Sequence, residues 1–142
     1  MRTIEWKDGV VVTIDQTKLP DITKFLSIKN CEELSLAIKE MKLRGAPLIG
    51  VAAAYGLALT AYHSKAKEKE VLLRELEDSA DTLRQTRPTA VNLFWAVNRV
   101  LKRAKETTGD VKALVKIVVK EAQKIAEEDV EINRRIGEHG SK

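Results

Sequence analysis

The stretch Gly45–Ser64 reads GAPLIGVAAAYGLALTAYHS and carries no formal charge. Pro47 suits the first turn of a helix, where its missing N–H would have no intrahelical partner. Alanine and glycine contribute little transfer free energy and leucine and isoleucine are few, so this composition disfavours a membrane span. We therefore predict a buried central helix from about Pro47 to Lys65, in which Gly50 and Gly56 allow neighbouring helices to approach closely.

The residues before this helix have the pattern of strands. Thr3–Trp6 and Val10–Ile14 alternate in polarity, and Asp8-Gly9 between them is a strong signal for a two-residue hairpin turn. Ile22–Ile28 follows a break and predicts a third strand. Three strands form a small antiparallel sheet that needs helices to cover one face.

From Asn30 onward the apolar period becomes helical. Asn30 followed by Glu33 indicates a capped first helix, and four more helices are predicted. Their predicted starts lie near Pro47, Lys67, Pro88 and Asp110, and Gly137 is expected to stop the last one. The predicted fold class is α+β: a sheet subdomain over residues 1–29 and a bundle of about five helices over residues 30–142.

Composition narrows the functional classes. The chain has 142 residues and a net charge of +4, which fits one domain but is too weak a charge to indicate nucleic-acid binding. One cysteine, Cys31, and two scattered histidines, His63 and His139, do not make a metal site. No secretory signal opens the chain, so we expect a cytoplasmic protein without membrane, nucleic-acid or metal partners.

Four further residues could have a structural or a functional role: Cys31, His63, His139 and Asp129. Cys31 lies in the first turn of a helix, a position that favours the thiolate form. A structural role as a small, partly buried residue is the better interpretation, because no histidine that could activate the thiol lies close in sequence. His63 is expected at the surface and His139 in a loop. Asp129 interrupts the apolar stripe of the last helix. It either has a structural role or holds in place other residues that contact a ligand.

Two segments place an arginine next to a helix-opening proline: Arg44-Gly45-Ala46-Pro47 and Thr86-Arg87-Pro88-Thr89. Helix N-termini bind anions through unpaired N–H groups, and a guanidinium adds a fork of donors suited to phosphate. Two such corners would clamp a phosphate if they converge. The alternative is that both arginines pair with carboxylates or cap helices in ordinary connections.

Three long segments resemble the signatures of the S-methyl-5-thioribose-1-phosphate isomerase family. They are RGAPLIGVAAAYG at Arg44–Gly56, TRPTAVNLFWAV at Thr86–Val97 and EDVEINRRIGEHG at Glu128–Gly140. The wider family also includes ribose-1,5-bisphosphate isomerase and the alpha, beta and delta subunits of initiation factor 2B. The similarity covers nearly the whole chain.

The resemblance implies conversion of an aldose 1-phosphate to a ketose 1-phosphate without metal, nucleotide or other cofactor. It assigns Arg44, Gly45, Ala46 and Arg87 to substrate binding, and leaves Asp129 as a candidate supporting residue. The family's catalytic cysteine and aspartate lie in a C-terminal Rossmann-like domain and match no residue of this chain, so we expect an inactive N-terminal portion.

The resemblance also implies a homodimer in the full-length form. The alternatives are a non-catalytic binding module of the initiation factor 2B type and part of a ribose-1,5-bisphosphate isomerase.

Overall fold

A computed structural model describes residues 4–15, 24–40 and 46–140, without the side chains of 46–47 and 130–140. Within these described ranges three strands precede five helices, which confirms the predicted α+β class. The elements are β1 (Ile4–Lys7), β2 (Val10–Ile14), β3 (Phe25–Ile28), α1 (Cys31–Lys39), α2 (Ala46–His63), α3 (Lys69–Thr86), α4 (Val91–Glu106) and α5 (Val111–Gly140).

The strands form an antiparallel sheet in the order β1-β2-β3. The predicted hairpin turn is confirmed: Asp8 and Gly9 connect β1 to β2, with φ of 46° and 86°. Trp6, Val11 and Ile28 lie opposite one another on one face. The Trp6 ring stacks on Tyr55 of α2 with centroids 5.8 Å apart, which attaches the sheet to the helices.

The helix α2 is the centre of the bundle, as its sequence predicts. It contacts each of the other four helices. Residues 49, 51–55 and 57–59 are no more than 4% exposed. A Cβ atom added to Gly56 would lie 3.1 Å from Leu83 Cδ1 of α3 and 3.3 Å from Leu34 Cδ2 of α1. Glycine at this position therefore allows three helices to pack closely, and a larger residue would press on Leu83 and Leu34.

Side-chain caps begin the first and last helices as predicted. The Asn30 side chain accepts a hydrogen bond from the Glu33 amide at 2.8 Å, and Asp110 Oδ1 accepts one from the Ala113 amide at 3.0 Å. Each cap satisfies one of the N–H groups that have no partner at a helix start.

Two predicted helix boundaries are wrong. Pro88 does not open α4; it lies in a turn closed by the Ala90 amide on the Arg87 carbonyl at 3.0 Å, and α4 begins at Val91. Gly137 does not stop α5, which continues to Gly140. A glycine inside a helix costs only about 1 kcal/mol, so it is not a stop signal on its own. His139 thus lies in a helix and not in a loop.

Two other predictions stay predictions: the first residues of the third strand and the division into two subdomains. Residues 22 and 23, at the start of the predicted third strand, lie outside the described residues. The division into residues 1–29 and 30–142 stays a prediction. Over the described part of the chain, no helix has the length and apolar character needed to span a membrane.

Candidate phosphate-binding site

Arg87 lies between α3 and α4, directly after the last residue of α3. Its backbone is not helical, with φ −143° and ψ 78°, so the chain turns away from the helix there. Among the described side chains, its Nη1 is the one buried nitrogen or oxygen atom without a hydrogen-bond partner. Burying a guanidinium nitrogen without an acceptor is unfavourable, because the group is always charged and donates only. Arg87 is therefore suited to an anionic ligand.

The helix that follows Arg87 also has free donors at its start. Ala90 occupies the cap position of α4, and no side chain caps the helix. The N–H groups of the first turn and the positive end of the helix dipole favour an anion at this place. The start of α3 likewise has no side-chain cap. Arg87 therefore distinguishes the start of α4 as the candidate site.

The start of α2 lies against the start of α4. A Cβ atom added to Gly50 would lie 3.1 Å from the backbone oxygen of Asn92. The first turn of α4 thus packs closely against Gly50, the fifth residue of α2, which brings the starts of the two helices near each other, as a clamp made from both would require. Arg44 and Gly45 lie outside the described residues, and Ala46 is the first residue of α2.

Three side chains on α4 and α5 form an ionic network that the sequence patterns did not predict. Arg99 Nε donates to Glu121 Oε1 at 2.9 Å, and its Nη1 donates to Glu128 Oε1 at 3.0 Å. The guanidinium also lies 5.3 Å from the ring centroid of Trp95. The hydrogen bond from Arg99 lowers the pKa of Glu128.

Asp129, the residue after Glu128, is partly buried. Removal from water raises the pKa of its carboxyl group, because burial disfavours the charged form. Asp129 also makes at least one hydrogen-bonding or electrostatic contact with another group of the protein. Its role in supporting a substrate site stays a prediction.

Cys31 is buried, at 6% exposure, and its environment is that of a structural residue. Burial raises the pKa of its thiol, although hydrogen bonds with Ser35 and Ser79 act in the opposite direction. A raised pKa and poor access both oppose nucleophilic reactivity.

We expect native Cys31 to react with a maleimide at pH 8 at least about 100-fold more slowly than the urea-unfolded chain, because thiolate fraction and access both limit the rate. Mass spectrometry of timed samples measures both rates. Equal rates in the two states would contradict the burial described here.

The histidine that ends α2 has a structural partner. His63 is exposed, as predicted, and its Nε2 lies 2.7 Å from the Gly9 carbonyl oxygen in the hairpin turn. Its ring also contacts Tyr62 edge to face. His63 therefore helps to attach the sheet to α2.

The fold and this site define a class of protein. Residues 42–142 match the Initiation factor 2 subunit family, IF-2B, and the chain belongs to that family. It is 49% identical over 132 residues to a methylthioribose-1-phosphate isomerase from Crocosphaera subtropica, a match that covers 93% of this chain and 38% of the relative.

Two solved structures share the fold. The 5-methylthioribose 1-phosphate isomerase from Pyrococcus horikoshii is 48% identical with a TM-score of 0.94, over 98% of this chain and 39% of that chain. The translation initiation factor eIF-2B, subunit delta, from A. fulgidus is 44% identical with a TM-score of 0.92, over 99% of this chain and 41% of that one. The chain spans about two fifths of the length of the relatives that it matches.

Proposed function

We propose that this chain is the phosphate-binding part of an aldose–ketose isomerase that converts S-methyl-5-thioribose 1-phosphate to S-methyl-5-thioribulose 1-phosphate in methionine salvage. The buried, unpartnered Nη1 of Arg87 at the uncapped start of α4 is the observation that carries the proposal. The names of the isomerases that the chain resembles support the substrate.

In this proposal Arg87 and the amides of α4 hold the phosphate. The guanidinium provides charged donors, and the first-turn N–H groups of α4 add neutral donors aligned with the helix dipole. Arg44, Gly45 and Ala46 bind the same ligand from the start of α2, a helix that packs on Asn92 through Gly50. Fixing the phosphate fixes C1 and C2 of the sugar, between which the hydrogen moves, and so orients the reaction.

The proton-transfer groups lie outside this chain in our proposal. Cys31 is buried in the helical core and has a raised pKa, which makes it unsuited to that role. The chain alone should therefore bind a sugar phosphate without isomerising it, and the full-length form should be a cytoplasmic homodimer. Isomerisation of the substrate by the isolated chain would contradict this assignment.

Replacing Arg87 with alanine tests the binding role. Hydrogen bonds to charged groups contribute about 1.5–3 kcal/mol, so we expect Arg87→Ala to weaken binding of methylthioribose 1-phosphate about 10- to 100-fold in calorimetric titration. Inorganic phosphate should show the same direction of change.

The matched control is Arg84→Ala, one turn earlier on α3. Arg84 donates to Asp81 Oδ1 at 3.2 Å and to Asn98 Oδ1 at 2.7 Å, so its donors are already used within the protein. This variant should bind phosphate as the unmodified chain does. Equal affinities for Arg87→Ala and Arg84→Ala would reject the proposed site.

A non-catalytic binding module is the second candidate function, favoured by the similarity to the initiation factor subunit from A. fulgidus. Such a module would sense a nucleotide or sugar phosphate or bind a partner subunit. Tight binding of AMP with no affinity for methylthioribose 1-phosphate would support this second function. Preference for a ribose 1,5-bisphosphate would instead indicate the related bisphosphate isomerase.

A further inference from the structure

Gly50 of α2 is buried against the backbone of α4. A Cβ atom at this position would lie 3.1 Å from the backbone oxygen of Asn92, and 3.5 Å from both its carbonyl carbon and its Cβ atom. A contact of 3.1 Å is tighter than ordinary van der Waals contact, so one of the two helices would have to give by a few tenths of an ångström. Glycine at position 50 therefore permits a spacing between α2 and the start of α4 that a larger residue would widen.

The other glycine of α2 has neighbours that can adjust. A Cβ atom at Gly56 would lie 3.1 Å and 3.2 Å from the two methyl carbons of Leu83 and 3.3 Å from Leu34 Cδ2. These atoms are the ends of leucine side chains, which can move by small rotations about their χ angles. The Asn92 carbonyl belongs to the backbone of a helix and cannot move without the turn that contains it. A methyl group should therefore displace the backbone of α4 at position 50 but only side-chain atoms at position 56.

The turn that contains Asn92 is connected to Arg87 by hydrogen bonds. The Leu93 and Phe94 amides donate to the Ala90 carbonyl at 3.1 Å and 3.3 Å. The Ala90 amide donates in turn to the Arg87 carbonyl at 3.0 Å. A shift of the Asn92 backbone is therefore carried toward the candidate phosphate site, where the buried Nη1 of Arg87 has no partner among the described residues.

We propose that Gly50 is a positioning residue for the phosphate site, because its missing side chain sets the distance between α2 and the first turn of α4. This inference rests on the proposed function, in which donors from the starts of both helices hold one phosphate. Several donors bind one anion together only if their spacing is right, and the supporting residues must hold them to within about 0.5 Å. A shift of a few tenths of an ångström is a large part of that tolerance.

Alanine substitutions at the two glycines of α2 test this role. Gly50→Ala and Gly56→Ala each add one methyl group, and each replaces glycine by a stronger helix former. Gly56→Ala presses on Leu83 but leaves that side chain in its contact with α2. Calorimetric titration with inorganic phosphate and with methylthioribose 1-phosphate measures the affinity, and urea unfolding measures the midpoint concentration.

We expect Gly50→Ala to weaken the binding of both ligands at least about threefold, because even a small misplacement of binding groups is costly. Gly56→Ala should leave the affinity unchanged, whatever its urea midpoint. A merely structural role of Gly50 would move the urea midpoint without this difference in affinity. An unchanged affinity for Gly50→Ala, or an equal loss in the two variants, would overturn the proposal.

Two further measurements examine the displacement itself and the stability of the variant. The ligand-free ¹H–¹⁵N spectrum of Gly50→Ala should show shifted Val91 and Asn92 amides relative to the unmodified chain, whereas that of Gly56→Ala should not. Amides of α4 that stay in place in Gly50→Ala would contradict the positioning role. If Gly50→Ala lowers the urea midpoint, both variants are repeated together with Gly137→Ala, which replaces a glycine inside α5 and so stabilises that helix.

Failure of this inference is distinguishable from failure of the proposed function. If Arg87→Ala weakens phosphate binding and Gly50→Ala does not, the site stands and Gly50 has no positioning role. If Arg87→Ala binds phosphate as tightly as Arg84→Ala does, the site itself is rejected, and the positioning role with it.

Discussion

Replacing Leu83 with alanine is expected to lower the free energy of unfolding by about 3–5 kcal/mol, the upper part of the range for buried leucines. Leu83 is fully buried, and its methyl groups pack on Gly56 of α2. Glycine has no side chain that could move into the space that the leucine leaves. The cavity should therefore persist, and a persistent cavity increases the cost.

The Leu83 variant should also affect the site, because Leu83 anchors the last turn of α3 just before Arg87. Its carbonyl accepts a hydrogen bond from the Thr86 hydroxyl. Urea unfolding followed by circular dichroism measures the stability, and phosphate titration measures the site. The control is Gln85→Ala, an exposed position on the same helix that should change stability by no more than about 0.5 kcal/mol. A similarly small change for Leu83→Ala would contradict the packing of α3 on α2.

Replacing Arg99 with alanine has the second-largest expected effect, about 2–3 kcal/mol of destabilisation. The side chain of Glu121 is only 12% exposed and would lose its cation. The loss of stability should be smaller than for a fully buried ion pair, because the Glu128 side chain is 45% exposed and water screens its charge. Lys102→Ala, an exposed position three residues later on α4, is the matched control and should leave stability nearly unchanged. Equal stabilities for the two variants would contradict the network.

The Arg99 effect should depend on pH in a defined direction. Because Arg99 lowers the pKa of Glu128, the ion pair stabilises the folded state above the ordinary glutamate pKa of 4.5. That stabilisation is lost as the pH falls through the lowered pKa of the folded state. Unfolding curves between pH 7 and pH 3 should therefore show the difference between the unmodified chain and Arg99→Ala shrinking in acid. A constant difference would mean that the carboxylates are not responsible.

Local sequence rules predicted the elements of this fold well and their ends less well. The hairpin turn at Asp8-Gly9, the caps Asn30 and Asp110 and the buried central helix are local or compositional features, and all four are confirmed. The start of α4 was misplaced because a proline suits both a turn and a first helical turn. Here Pro88 lies in the turn, and α4 begins three residues later at Val91.

The candidate site could be predicted only in part. Arg87 was selected from its place next to a proline, but the missing hydrogen-bond partner of its Nη1 depends on burial that no sequence pattern gives. The spacing of Trp95 and Arg99 by four residues was a local signal for their contact. The bonds from Arg99 to Glu121 and Glu128 join residues 22 and 29 positions apart, and only the packing of α4 on α5 determines them.

The central claim is that the start of α4, with Arg87, binds the phosphate of a sugar phosphate. A ¹H–¹⁵N correlation spectrum of the chain, titrated with methylthioribose 1-phosphate, tests it most directly. We predict saturable shifts that are largest for the Val91 and Asn92 amides and the Arg87 Nε–H group. The start of α3, which also has no side-chain cap, serves as the internal comparison. Shifts that do not saturate, or that are as large at the start of α3, would contradict the claim.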